Sequence, residues 1–544
     1  MAGMMLAVSA VPATAQTTSS SIEAPIQTTE QSTSIHGIVV NANTNQPIGR
    51  VLVQAEGKSI LTEHDGKFEF SGLTGTTTGV RLTKPGFYAG FSVFDATVEV
   101  TVGSPDEIQL KLYPETLFTG TLSETNGDPL AQVQIQAFRR TVDEAGVRWM
   151  PSGQTGTNAD GQFRLPLQAG EYVFETQYAA ERPGLRGAIL PVRIPSGGSS
   201  GGSGATSSGA STMRLASGSE QHIDLHLAVR PSHTVNVQVD GQASSGPGQF
   251  GTQIRVRLAN GLTFAAPSRR ADTPGEVQVS LPNGSYVLSA SIGQRDDAAS
   301  YGETRVTVAD EDVSGVSIHL QKALEMSVEA SVDPASTLIS TSANSTAVDP
   351  SSPSFVQQLG ITFRRTDGEA SARAENISLM PRKGAAPSFT LLPGTYRLRT
   401  AGYSQWFIES ATAGGTDLLT EDLVVDAGSS SLPLRLVVSN QTAAVKGTTK
   451  LHGQLPGCAV YLIATSPSAA PVINARSGSD GSFSHNSLPP GSYRVLAAET
   501  RLSLDLTDAA MQKRFAPYMK TLTVGAGETG SIDLDAVPAS ELTP

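Results

Sequence analysis

A turn that this chain repeats constrains its fold more than any other feature: Asp65-Gly66-Lys67-Phe68, Asp160-Gly161-Gln162-Phe163 and Asp480-Gly481-Ser482-Phe483. An Asp side chain can bond its own backbone two residues on and Gly accepts positive φ, so each pair is expected to close a hairpin whose outgoing strand begins with a buried Phe. A second turn precedes a Tyr-led strand four times, at Gly170-Glu171-Tyr172, Gly284-Ser285-Tyr286, Gly394-Thr395-Tyr396 and Gly491-Ser492-Tyr493. A third pattern is an alternating strand that closes each segment: EIQLKL at 107, HIDLHL at 222, VSIHLQ at 316, LPLRLVV at 432 and SIDLDAV at 531. Short alternating strands with frequent turn signals predict an all-β chain, a tandem array of about five β-sandwich modules with Gly/Ser-rich loop insertions. The module boundaries are expected at 34–112, 113–228, 229–321, 322–438 and 439–537, with a tail over 538–544.

Composition agrees with this reading and removes some functions. At about 100 to 200 residues per domain, 544 residues call for several cores. Charged residues are only 16%, and 54 Gly with 32 Pro make the chain rich in turns. A formal charge of −12 with no basic block argues against nucleic acid, whose affinity rests on Lys and Arg at phosphates. Residues 1–15 end in Ala13-Thr14-Ala15, the small-x-small form of a signal-peptidase site, so export to the periplasm, the outer-membrane surface or the medium is expected. Residues 16–33 are Thr- and Ser-rich and read as a disordered linker. No stretch is long and apolar enough to be a transmembrane helix. The stretches 196–211 and 336–354 are too polar to bury and read as mobile loop insertions in modules two and four. One helix is predicted over 508–515, capped by Thr507 and stopped by Pro517. Cys458 stands alone, which excludes an internal disulfide and reads as a small buried apolar residue.

The grammar of 34–70, 117–165 and 439–493 resembles that of carboxypeptidase regulatory-like domains, transthyretin-like (prealbumin-like) or Ig-like β-sandwich modules of many bacterial surface proteins. The resemblance rests on the opening glycines Gly37 and Gly120, on Pro47-Ile48 and Pro129-Leu130, and on the alternating strands Val51/Val53 and Val133/Ile135. It extends through Thr62 to Phe68, Thr157 to Phe163 and Ser477 to Phe483. The first module ends instead in Lys84-Pro85-Gly86-Phe87-Tyr88, similar to the family's Gly-aromatic ending, while the third and fourth keep only the Tyr turn and the closing strand. The five-module arrangement and the segment from Tyr403 to Val425 resemble exported bacterial array proteins. What the resemblance implies is a fold and a place in the envelope, not a reaction.

A peptidase domain of the neighbouring kind is not encoded: none of the eight His has a Glu three residues on or begins an HExxH, so three metal ligands with one open position cannot be assembled locally. His222, Asp224 and His226 share one face of a predicted strand, but their alternation with Ile223, Leu225 and Leu227 is that of a half-solvated strand. Gly197 to Gly201 fits G-x-S-x-G inside a Gly/Ser tract with no strand-to-helix elbow. Gly525, Gly527 and Gly530 fit G-x-G-x-x-G, but a strand follows where a pyrophosphate would need a helix, so a hairpin loop is expected. No catalytic residue, metal site or cofactor is therefore predicted. The turn residues Asp65, Gly66, Asp160, Gly161, Asp480, Gly481, Gly284, Gly394 and Gly491 are read as structural. Trp149 in a polar hairpin and Trp406 are the candidate ligand-binding residues, as aromatic platforms for sugar rings. The expected function is a non-enzymatic envelope or extracellular scaffold, spacer or adhesion element whose partner the sequence leaves open between a polysaccharide and an envelope protein; the alternative is a module array that binds polysaccharide.

Overall fold

The computed structural model describes residues 34–541 apart from 76, 90–96, 104–106, 144–145, 183, 196–211, 242–252, 272, 274, 293–299, 337–348, 351, 368–375, 379–386, 401–404, 427, 430, 452, 454–456, 479, 500–501, 503 and 539–540. The leader and linker read over 1–33, the tract 196–211 with its G-x-S-x-G, and most of 336–354 lie outside the described residues.

Alternation of apolar and polar residues puts one face of each strand in a core, and the strands assort into five sandwiches by one rule. An opening strand pairs antiparallel with a mid-unit strand and parallel with the closing strand. Ile35–Asn41 lies between Lys67–Phe70 and Ile108–Pro114. Thr116–Glu124 lies between Gln162–Leu167 and Glu220–Leu227. Ser232–Asp240 lies between Glu276–Pro282 and Val313–His319. Leu324–Val332 lies between Ser388–Leu391 and Leu434–Ser439. Ala443–Lys450 lies between Ser482–Leu488 and Thr529–Val537. The facing sheet has an equally constant centre, such as Gln134–Asp143 between Gly146–Gly156 and Gly170–Thr176. The third and fourth units, which lack the Asp-Gly turn, follow the same topology, so the shared fold is wider than the shared motif.

Each sandwich has its own core. In the second, Phe118 stacks on Phe174 at 3.8 Å between ring centres and tilts against Phe163 at 5.3 Å. The fifth unit has two cores: a second cluster is formed by Tyr461 and Leu496 of its strands with Leu502, Leu506 and Phe515.

Four local expectations are corrected. The Asp-Gly turns do not close hairpins. Lys58–Leu61 pairs with Leu52–Ala55, whereas Lys67–Phe70, just past the turn, pairs with the opening strand. The turn carries the chain from one sheet to the other. The glycine loop 525–530 is likewise no hairpin, because Lys520–Val524 pairs with Gly491–Ala498 while Thr529–Val537 pairs with Ala443–Lys450. The helix runs over Ala509–Arg514 with Asp508 as its cap, accepting from the N–H groups of Ala510 and Met511; the Thr507 hydroxyl is taken by Asp505. The α-helix ends before Pro517, as expected, and Pro517 lies in a 3-10 turn, Ala516–Tyr518. A second helix, Pro353–Gln358, begins inside the tract read as a polar insertion, capped by Ser352 and burying Phe355 and Val356.

Candidate functional site

The residues that recur in sequence recur in place. At the opening glycines the backbone leaves no room for a side chain. A Cβ would lie 2.3 Å from the Ile108 carbonyl oxygen at Gly37, 2.0 Å from that of Ile223 at Gly120 and 1.7 Å from that of Ile532 at Gly447. The rings of Phe68, Phe163 and Phe483 lie over the same three glycines, within 2.8–2.9 Å of that Cβ position.

The turns hold the opening strand. Gly66, Gly161 and Gly481 accept from the N–H groups of Val39, Leu122 and Thr449 at 2.8 Å each. Gly161 has φ +72°, a left-handed value that suits Gly. Asp65 and Asp480 accept from the N–H two residues on, at 3.1 and 3.0 Å. Asp160 does not: Asn158 Oδ1 takes the N–H groups of Asp160 and Gln162 instead, at 3.0 and 2.8 Å. Beside each turn a buried hydroxyl clamps a strand. Thr62 Oγ1 accepts from Val51 N–H and donates to Ile48 O, both at 3.0 Å, and Thr157 does the same with Val133 and Leu130. Ser477 accepts from Cys458 N–H at 2.7 Å. Cys458 is itself buried, and burial pushes its thiol up.

In the Gly-x-Tyr turns the sequence pattern concealed a hydroxyl bond. Tyr172, Tyr286, Tyr396 and Tyr493 each donate to the carbonyl four residues back, Gln168, Pro282, Leu392 and Pro489, at 2.5–2.8 Å. Gly284, Gly394 and Gly491 begin the strands that carry three of these tyrosines. This closed ring of backbone and phenol resembles the tyrosine corner of Ig sandwiches. Burial raises the phenols of Tyr172, Tyr286 and Tyr493, that of Tyr286 to about 12. A raised folded-state pKa keeps the phenol neutral, so its contribution is complete below the free value of about 10 and is lost as pH rises through the folded value. Thermal melts between pH 8 and 12 should therefore show a fall that starts near pH 10 and is smaller in Tyr286→Phe and Tyr493→Phe. A melting temperature unchanged to pH 11.5 would contradict this.

Among the described residues the first unit shows no such ring, and its Tyr88 instead reaches the second unit, accepting from Ala169 N–H at 3.1 Å. Junctions of this kind recur. Tyr178 of the second unit stacks on Phe264 of the third at 4.7 Å and donates to Ser280 O at 2.6 Å. Tyr301 and Gln321 line a small cleft with Pro393 and Val425 between units three and four. Ala469 of the fifth unit is buried in the fourth core and accepts from Thr400 N–H at 3.0 Å. The first unit also meets the fifth, with Lys111 Nζ 4.0 Å from Glu499.

The two Trp differ. Trp149 is half-buried on the strand opposite Arg140, which is ion-paired with Glu171, which lies opposite Arg214, so the four form one row across the sheet. Arg140 is 3.5 Å from Glu171. Trp406 is half-buried against the fourth core, edge-on to Phe355 at 5.2 Å. His222, Asp224 and His226 share an exposed face, each bonded to Thr119, Thr121 or Ser123 directly across the strand pair. Among the described residues no group of three His, Cys, Asp or Glu could hold a metal. No helix among them is long and apolar enough to cross a membrane.

No protein-family model and no curated protein matches the chain. Solved structures similar to it include the Bacillus anthracis TIE protein, at 12% identity over 54% of this chain and 52% of that one, with a TM-score of 0.17. The match thus spans about half of the TIE protein. A streptococcal ancillary pilin is 13% identical over 56% of this chain and 99% of its own, with a TM-score of 0.16. The major pilin subunit of Bacillus cereus is 9% identical over 78% and 100%, with a TM-score of 0.13. Such values carry no argument about arrangement or activity.

Proposed function

We propose that this chain is an exported, non-enzymatic array of five sandwiches, bounded at about 34–112, 113–228, 229–321, 322–438 and 439–537, that acts as an envelope or extracellular scaffold or spacer. One observation carries the reading: successive units are locked by side chains, not merely tethered. The Tyr178 ring lies on Phe264 and its hydroxyl is bonded across the junction, and burial pushes its phenol up to about 12. Pro114 and Thr116 are separated by Glu115 alone, so the first unit feeds straight into the second. A scaffold needs such fixed angles, whereas a flexible tether does not. Membership of the carboxypeptidase regulatory-like family belongs to the same proposal, supported by the three glycine-phenylalanine contacts described above. Export rests on the leader-like residues 1–15.

Small-angle scattering tests it. Tyr178→Ala should increase the radius of gyration and broaden the distance distribution while far-UV circular dichroism stays unchanged. A scattering curve identical to that of the parent chain would sink the fixed junction. The sugar-binding alternative keeps one supporting observation, the row of Trp149, Arg140, Glu171 and Arg214 on one sheet face, where a half-buried ring stands beside hydrogen-bonding charges. In that reading Trp149→Ala removes binding and Trp406→Ala unsettles a core.

A further inference from the structure

Two neighbouring sheets carry an excess of positive charge on their outer faces. In the third unit Arg257 and Arg305 both stand opposite Val287, one on each side, and Arg255 stands opposite Ser289. Val256, Leu288 and Val306 between them are buried, so the three arginines project outward and are exposed. Glu303 answers one of them, 3.5 Å from Arg257. In the fourth unit Arg364 lies directly opposite Arg397, and Arg399 lies opposite Thr362, on the face away from the buried Phe363 and Leu398. Like charges directly opposite across a strand pair destabilise it. Asp422 pairs with Arg397.

Arg399 is the most exacting of these. Its Nη1 donates to the Leu398 carbonyl at 3.0 Å, and its buried Nε has no hydrogen-bond partner. Burial first, then Arg397 and Arg364, draws it down to about 10, with Asp422 and Asp505 opposing. Each face thus carries more arginines than carboxylates in a chain whose formal charge is −12.

We infer that the outer faces of the third and fourth units bind an acidic polysaccharide, a sugar polymer bearing carboxylates. Guanidinium forks match carboxylates in a two-bond geometry. The side chains beside the arginines include the hydroxyls of Ser289, Thr362 and Thr395, which suit sugar hydroxyls. This goes beyond the scaffold reading and does not depend on it, since fixed junctions are read by scattering and this face by binding.

The test is calorimetric titration of the full chain with oligogalacturonate, with dextran of equal length and with single-stranded DNA. Two double variants accompany it, Arg255→Gln with Arg257→Gln and Arg364→Gln with Arg399→Gln. Arg255 and Arg257 are exposed, so the first pair tests the face without disturbing a core. Saturable binding to oligogalacturonate and none to dextran is expected, weakened at least about tenfold by either double variant and by raising salt from about 50 to about 300 mM. Absence of binding to oligogalacturonate, equal binding to dextran, affinity unchanged in the first variant, or tighter binding to DNA would each overturn the proposal.

Discussion

Gly447→Ala is expected to destabilise the fifth unit by about 3 kcal/mol or more, at or above the upper end of ordinary overpacking. The added methyl would sit 1.7 Å from the Ile532 carbonyl oxygen and 2.9 Å from the Phe483 ring. The ring could turn aside, but the carbonyl belongs to the parallel closing strand, which would have to move away along the register from Ala444↔Thr529 to Lys450↔Asp535. Urea unfolding followed by circular dichroism measures the loss, and Gly120→Ala in the second unit should behave alike. A cost below about 1 kcal/mol at both sites would mean that the strand pair yields easily and that the glycine recurs for another reason.

Phe163→Ala should cost about 3–5 kcal/mol, the usual range for deleting a large buried ring. Phe163 is 5% exposed, tilts against Phe118, and covers Gly120. Because the ring and the glycine share one space, the two substitutions should not add: without the ring, Gly120→Ala still meets the Ile223 carbonyl but no longer the phenyl edge. A double-mutant cycle reads this coupling. Strict additivity would separate two features that the structure joins.

The all-β class and the tandem sandwiches were legible because alternation and turn spacing are local, and five closing strands recur at regular intervals. Partner choice was not. Asp65-Gly66 announces a turn whether the chain doubles back or crosses to the other sheet, and only the bond from Val39 N–H to Gly66 O distinguishes the two. Thr62 and Thr157 were visible as part of a motif, but their role depends on which N–H and carbonyl come within reach after folding. The Tyr hydroxyls are similar: the Gly-x-Tyr spacing marks a strand start, and the acceptor four residues back lies in an otherwise unremarkable turn. Ser352 and the pair Phe355 and Val356 could have signalled the short helix inside the polar tract. Arg255-Val256-Arg257 and Arg397-Leu398-Arg399 already alternate in sequence, but the charge on each face becomes unbalanced only when two such strands are set side by side.

The parallel pairing of opening and closing strands has a mechanical side. In every unit the chain arrives along one strand and departs along its neighbour in the same direction, so it leaves from the end opposite its arrival. Tension applied along the chain would pull these two strands past each other lengthwise, loading all the hydrogen bonds of a register such as Glu220↔Leu117 to Leu227↔Glu124 together. An antiparallel pair pulled from one end opens like a zip, a bond at a time. Five such shear clamps in series would let the chain bear load along its length before any one sandwich opens.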